Sequence, residues 1–115
     1  MKGIAIGFSD TSREILKRLK KTEFINEIFI GSSSLKDKKI KDSVKFVKPR
    51  QILREKWEKL ELIIFVGSVG ASIRLINSLL SSKDKDPGVI VIDKKGSKII
   101  PIIGCLLYTS DAADE

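Results

Sequence analysis

Five apolar residues, Leu62-Ile63-Ile64-Phe65-Val66, run without interruption and are stopped by Gly67-Ser68-Val69-Gly70. No other feature limits the fold as strongly. The run is far shorter than the roughly 20 residues of a membrane span. It shows no alternation, so it leaves no solvent face, and it reads as a strand buried on both sides. A strand of that kind needs a layer of structure above and below it. After the glycine break, Ile73, Ile76, Leu79 and Leu80 recur at helical spacing and predict an amphipathic helix.

The same strand-turn-helix pattern appears at the start of the chain. Gly3 to Phe8 predicts a buried strand, and Ser9 and Asp10 a turn. Thr11-Ser12-Arg13-Glu14 fits a capping box, and Ile15, Leu16 and Leu19 form the apolar side of the helix that follows. Glu27 to Gly31 predicts a second strand. Residues 32 to 43 predict a loop, and Val44 to Val47 a short edge strand. Pro49 suits the first turn of a helix whose apolar side is Ile52, Leu53, Trp57 and Leu60. Val89 to Asp93 and Ile99 to Ile103 flank Lys94-Lys95-Gly96-Ser97 and predict a hairpin. The expected class is α/β, a three-layer sandwich with a mainly parallel sheet and a C-terminal β-hairpin edge.

Composition agrees with a globular chain: 115 residues, 42% hydrophobic and 32% charged. With no signal-peptide pattern and no membrane-length run, the expected compartment is the cytoplasm. One Cys forms no internal disulfide. With no His, the chain also lacks the donors of an ordinary zinc site or a His-based triad. No metal site is expected.

The segment 105–115 differs from the rest. It holds the only Cys, the only Tyr, three acids and no base, and it resembles a translated sequencing-adapter tail. The expected organisation is therefore an α/β region over 1–104 and a non-native tail over 105–115. Without the tail's three acids the formal charge rises from +7 to +10. The bases are spread over several faces, and no helix-turn-helix, RNP-like strand or zinc finger accompanies them, so nucleic acid is not an expected partner. Such a charge does favour a polyanionic small substrate through steering.

Gly67, Ser68, Val69 and Gly70 are the candidate site. In an open α/β sheet, ligands bind beyond the carboxyl ends of the strands. Glycines admit a ligand to the backbone, and the first N–H groups of a helix favour an anion. Arg74, four residues after Gly70, is in range to pair with a carboxylate or phosphate, and Asp10 and Thr11 are expected at the same sheet edge. The competing reading is a tight turn, a surface Arg and a helix cap. The spacing is neither Gly-x-Gly-x-x-Gly nor a P-loop, which argues against a nucleotide. Asp86 sets the turn of a loop expected to be solvated, and Asp93, at the end of a strand, is either a catalytic carboxylate or an ordinary hairpin Asp.

Phe65-Val66-Gly67-Ser68-Val69-Gly70-Ala71-Ser72-Ile73-Arg74, followed by Lys83-Asp84-Lys85-Asp86-Pro87-Gly88-Val89-Ile90-Val91-Ile92-Asp93, resembles the N-terminal region of the cobalt-precorrin-5A hydrolases of anaerobic cobalamin (vitamin B12) biosynthesis. The likeness is sharpest from 62 to 103 and looser before it. It implies an enzyme that opens the δ-lactone of a cobalt corrinoid and releases acetaldehyde. It also implies that cobalt arrives with the substrate and that no cofactor is needed. The family's segment after the last strand, and its later domains, have no counterpart in this chain, so the fragment is expected to be inactive alone. The likeness assigns no catalytic residue.

Two other readings stand beside it. Relatives that fuse this region to precorrin-3B C17-methyltransferase would bring S-adenosylmethionine with the missing half. A non-enzymatic α/β module would bind an anionic ligand or a partner protein.

Overall fold

In the computed structural model, residues 2–31, 44–81 and 86–103 are described. Six strands form one sheet: β1 (Gly3–Gly7), β2 (Glu27–Gly31), β3 (Lys45–Val47), β4 (Leu62–Val66), β5 (Gly88–Ile92) and β6 (Ile99–Ile103). Their order is β3-β2-β1-β4-β5-β6, parallel except for the antiparallel β5–β6 pair. Three helices accompany them: α1 (Arg13–Lys20), α2 (Pro49–Lys56) and α3 (Val69–Ile76). This is the expected α/β sandwich with a hairpin edge. The expected loop over 32–43 and the tail over 105–115 lie outside the described residues.

The strands with unbroken apolar runs take the centre. β1 is buried along its whole length, as is β4 from Ile63 onward. Alternate side chains go to opposite faces. Ala5, Ile28, Ile30, Ile64 and Val66 pack with Leu16 of α1 on one face. Ile4, Ile6, Phe29, Ile63 and Phe65 pack with Leu53, Trp57 and Ile76 on the other, under α2 and α3. Each helix lies on the face that a right-handed crossover dictates.

Two local expectations are corrected. The capping box at Thr11 does not form. A 3-10 turn, Asp10–Ser12, precedes α1, and neither it nor α1 has a side-chain cap. The Ser12 N–H and hydroxyl both donate to the Ser9 carbonyl, while the Thr11 hydroxyl bonds the Ser9 hydroxyl. The short turn uses these groups before a box can close.

The inward stripe of α3 is also shifted. Ser72 and Ile76 are buried, whereas Ile73 and Leu80 are 45% and 41% exposed. Ser72 can face inward because its hydroxyl donates to the Ser68 carbonyl at 2.8 Å, which removes the cost of an unpaired polar group.

Candidate functional site

The chain leaves β1 toward β2 on one side and leaves β4 toward β5 on the other. The carboxyl ends of these two neighbours therefore diverge, and the crevice between their loops is a topological switch point. In register, Gly7 faces Val66 there. The Phe8 N–H donates to the Val66 carbonyl at 3.3 Å, and the Gly67 N–H to the Ile92 carbonyl at 2.8 Å. Three strand ends are thus tied together beneath the glycine turn.

Aromatic packing forms the floor. Phe8 stacks on Phe65 with centroids 5.6 Å apart and rings 9° from parallel. Gly67 has φ of +146°, and a Cβ there would come 2.6 Å from the Phe8 ring. Both facts demand glycine. Gly7 is demanded by space alone, since its Cβ would fall 1.8 Å from the Ser12 hydroxyl.

Ser68 is the N-cap of α3, and its hydroxyl accepts the Ala71 N–H at 3.3 Å. The N–H groups of Val69 and Gly70 have no acceptor among the described residues. They are the open donors of the turn, and the helix field favours an anion beside them.

Asp10 lies in the 3-10 turn above β1 and is exposed, but it is not a free carboxylate. It accepts from the Arg13 guanidinium, at 3.1 Å from Nε, in an ion pair. Thr11 is exposed, with its hydroxyl on Ser9 at 2.6 Å. No hydrogen bond or ion pair joins Asp10 or Thr11 to residues 67–70 among the described residues.

Arg74 is in the last turn of α3, not the first, because the helix is only eight residues long. It is exposed on the same side as Gly70, four positions on, with no ion pair or hydrogen bond among the described residues. Arg13, which the sequence did not single out as a site residue, lies 5.8 Å from the Phe46 ring centroid and pairs with Asp10. Its only sequence signal was the i,i+3 spacing from Asp10.

The other two carboxylates are structural. Asp86 does not stand in a merely solvated loop: it accepts from Trp57 Nε1 at 3.2 Å, and from the Ser81 N–H and hydroxyl. Asp93 accepts from the Ser97 hydroxyl at 2.8 Å and from the Ser97 and Lys98 N–H groups at 2.7 and 3.1 Å. These bonds, the Ser97 hydroxyl foremost, hold its carboxyl below the usual Asp value. Among the described residues no group of His, Cys, Asp and Glu is placed to hold a metal ion, and no helix is long and apolar enough to cross a membrane.

The fold and crevice define an open, doubly wound α/β domain of the kind that binds ligands at a switch point. The chain belongs to the cobalamin synthesis G N-terminal family, whose model matches residues 51–114. It is 37% identical over 54 residues to the cobalt-precorrin-5A hydrolase of Priestia megaterium. It is 32% identical over 50 residues to that of Salmonella typhimurium strain LT2. These matches cover 47% and 44% of this chain, and 14% of each relative. A cobalamin biosynthesis protein G homolog from Sulfolobus solfataricus has the same fold, with a TM-score of 0.58 and 22% identity. The likeness covers 90% of this chain and 29% of that one. The chain therefore spans a minor part of the relatives it matches, and the matched family range contains the glycine turn and Arg74.

Proposed function

We propose that this chain is the N-terminal part of a cobalt-precorrin-5A hydrolase. In that reading it helps to bind a cobalt corrinoid whose δ-lactone is opened by water, with acetaldehyde released later. The observation that carries the reading is the family match across the switch-point turn. The substrate is rich in carboxylates, which suits a chain of charge +7. Cobalt belongs to the substrate, and the reaction draws on no further cofactor. The setting in this reading is the cytoplasm, in keeping with the absence, among the described residues, of a helix long and apolar enough to cross a membrane.

Lactone opening needs a positioned water, a proton acceptor and stabilisation of the developing oxyanion. The open N–H groups of Val69 and Gly70 suit an oxyanion or a substrate carboxylate. Gly67 lets the substrate approach, and Ser68 keeps one hydroxyl proton to donate. Arg74 reaches a peripheral carboxylate farther along the exposed side of α3. Asp10 and Thr11 border the crevice from the β1 side, where the ion pair with Arg13 occupies the Asp10 carboxylate. None of these is a ready general base, so the proton acceptor belongs to the remainder of the enzyme, the chain's expected partner.

A chimera tests this. Residues 1–103 replace the matching segment of the Priestia megaterium hydrolase, and acetaldehyde release from cobalt-precorrin-5A is followed. Turnover in the chimera, and none in the isolated chain, is the expected pair of results. A folded chimera that binds no corrinoid would sink the proposal.

A further inference from the structure

A well-formed cavity among the described residues lies away from the switch point. It opens at the amino end of the sheet, about 13 Å from the glycine turn by the length of β1. Its volume is about 350 Å³, within the range of small-molecule sites. Lys2, Asn26, Glu27, Lys56 and Lys59 line it, together with the buried side chains of Ile4 and Leu60. We propose that this cavity binds a small carboxylate carried on an apolar body.

The polar groups of the lining differ in whether they are already paired. Lys56 Nζ donates to Glu27 Oε1 at 3.0 Å, so the one carboxylate in the lining is already paired. Lys2 and Lys59 have no ion pair through their side chains among the described residues. Asn26 Oδ1 accepts the Gly3 N–H at 3.0 Å, and this orients the amide and leaves its NH2 end without an acceptor. The backbone nearby is satisfied as well. The Gly3 carbonyl accepts from Asn26, and the Lys2 carbonyl accepts from Glu61 and Leu62. The Lys2 N–H points to Glu61 Oε1 at 3.4 Å, outside the lining.

What remains at the cavity is mostly donors: two ammonium groups and one amide, against the second oxygen of the Glu27 carboxylate, whose charge Lys56 already balances. An ammonium offers three donors and no acceptor, so the matching ligand is acceptor-only. The lining carries three positive charges against one negative, and an anion relieves their repulsion. Ile4 and Leu60 supply apolar contact, which a bare inorganic ion would not use. The ligand is therefore an organic acid, not phosphate. This site is independent of the corrinoid reading, because it lies at the opposite end of the sheet.

The test is a titration of the intact 115-residue chain with benzoate, benzamide and inorganic phosphate, followed by amide chemical shifts. Benzoate is expected to move the amides of Lys2, Gly3, Asn26, Lys59 and Leu60 saturably. Phosphate and neutral benzamide should bind at least tenfold more weakly. The double variant Lys2→Gln, Lys59→Gln should weaken benzoate about tenfold or more and leave the rest of the spectrum in place. The control pair Lys94→Gln, Lys95→Gln, in the distant hairpin turn, should change nothing. Unsaturable benzoate shifts, equal loss in both double variants, or binding of benzamide or phosphate as tight as that of benzoate would each overturn the proposal.

Discussion

Trp57 and Asp86, 29 positions apart, are joined by a hydrogen bond of 3.2 Å from the indole N–H to Oδ1. The same carboxylate receives the Ser81 N–H and hydroxyl. One side chain thus holds together the end of α2, the chain just after α3 and the approach to β5. Trp57 is only 7% exposed, so its N–H has little access to water if that partner is lost. Replacing Asp86 with Ala should cost about 1–3 kcal/mol, the usual penalty for stranding a buried donor. Asp86→Asn should cost less, because its amide oxygen can still accept. Urea unfolding followed by Trp57 fluorescence measures both, and an unchanged midpoint for Asp86→Ala would refute the role.

Gly67→Ala is expected to destabilise the domain. Its φ of +146° is strained for any L residue, and the new methyl would strike the Phe8 ring. Strain of this kind costs about 1–3 kcal/mol. Gly70→Ala is the control, since a Cβ there would find only ordinary contact with the Ser68 hydroxyl at 3.7 Å. Thermal unfolding should separate the two variants. Equal melting temperatures would show that the turn does not depend on Gly67.

The Asp93 hairpin should loosen in acid. Its carboxyl titrates lower in the folded chain than in the unfolded one, where an Asp sits near about 3.9. The stabilisation is therefore complete above that value and is lost as pH falls through the lower, folded value. Amide shifts of Ser97 and Lys98 followed from pH 6 downward should report one transition below the ordinary Asp range. Asp93→Asn should remove it. A transition at or above the ordinary Asp value would contradict the assignment.

Arg74→Ala in the active chimera should weaken corrinoid binding about tenfold or more, as expected when one charge-assisted contact of roughly 1.5–3 kcal/mol is lost. Lys20→Ala, on α1 across the sheet, should do little. The quantity to measure is substrate affinity by corrinoid absorbance. Equal losses from the two variants would mean general electrostatics and no defined contact.

The layered α/β architecture was legible in the linear chain. Apolar runs such as Leu62–Val66 have no solvent face, and a strand without one must lie inside a sheet covered on both sides. The glycine turn was legible for a similar reason, since the break comes where the buried run ends. Properties that depend on which segments meet were not legible. The inward side of α3 turned on Ser72, whose burial is possible only because the Ser68 carbonyl lies within reach. The Thr11 cap gave way to a 3-10 turn that presses Ser12 onto Gly7. Asp10 resembled an open carboxylate until the fold set Arg13 between it and Phe46. The cavity at Lys2, Lys56 and Lys59 draws on segments more than 50 positions apart. Periodicity along a chain records which residues avoid water, and that local property determined the class of fold. Partners in hydrogen bonds, ion pairs and cavities come from distant segments, so only the tertiary structure decided which of the polar residues were already satisfied and which remained open to a ligand.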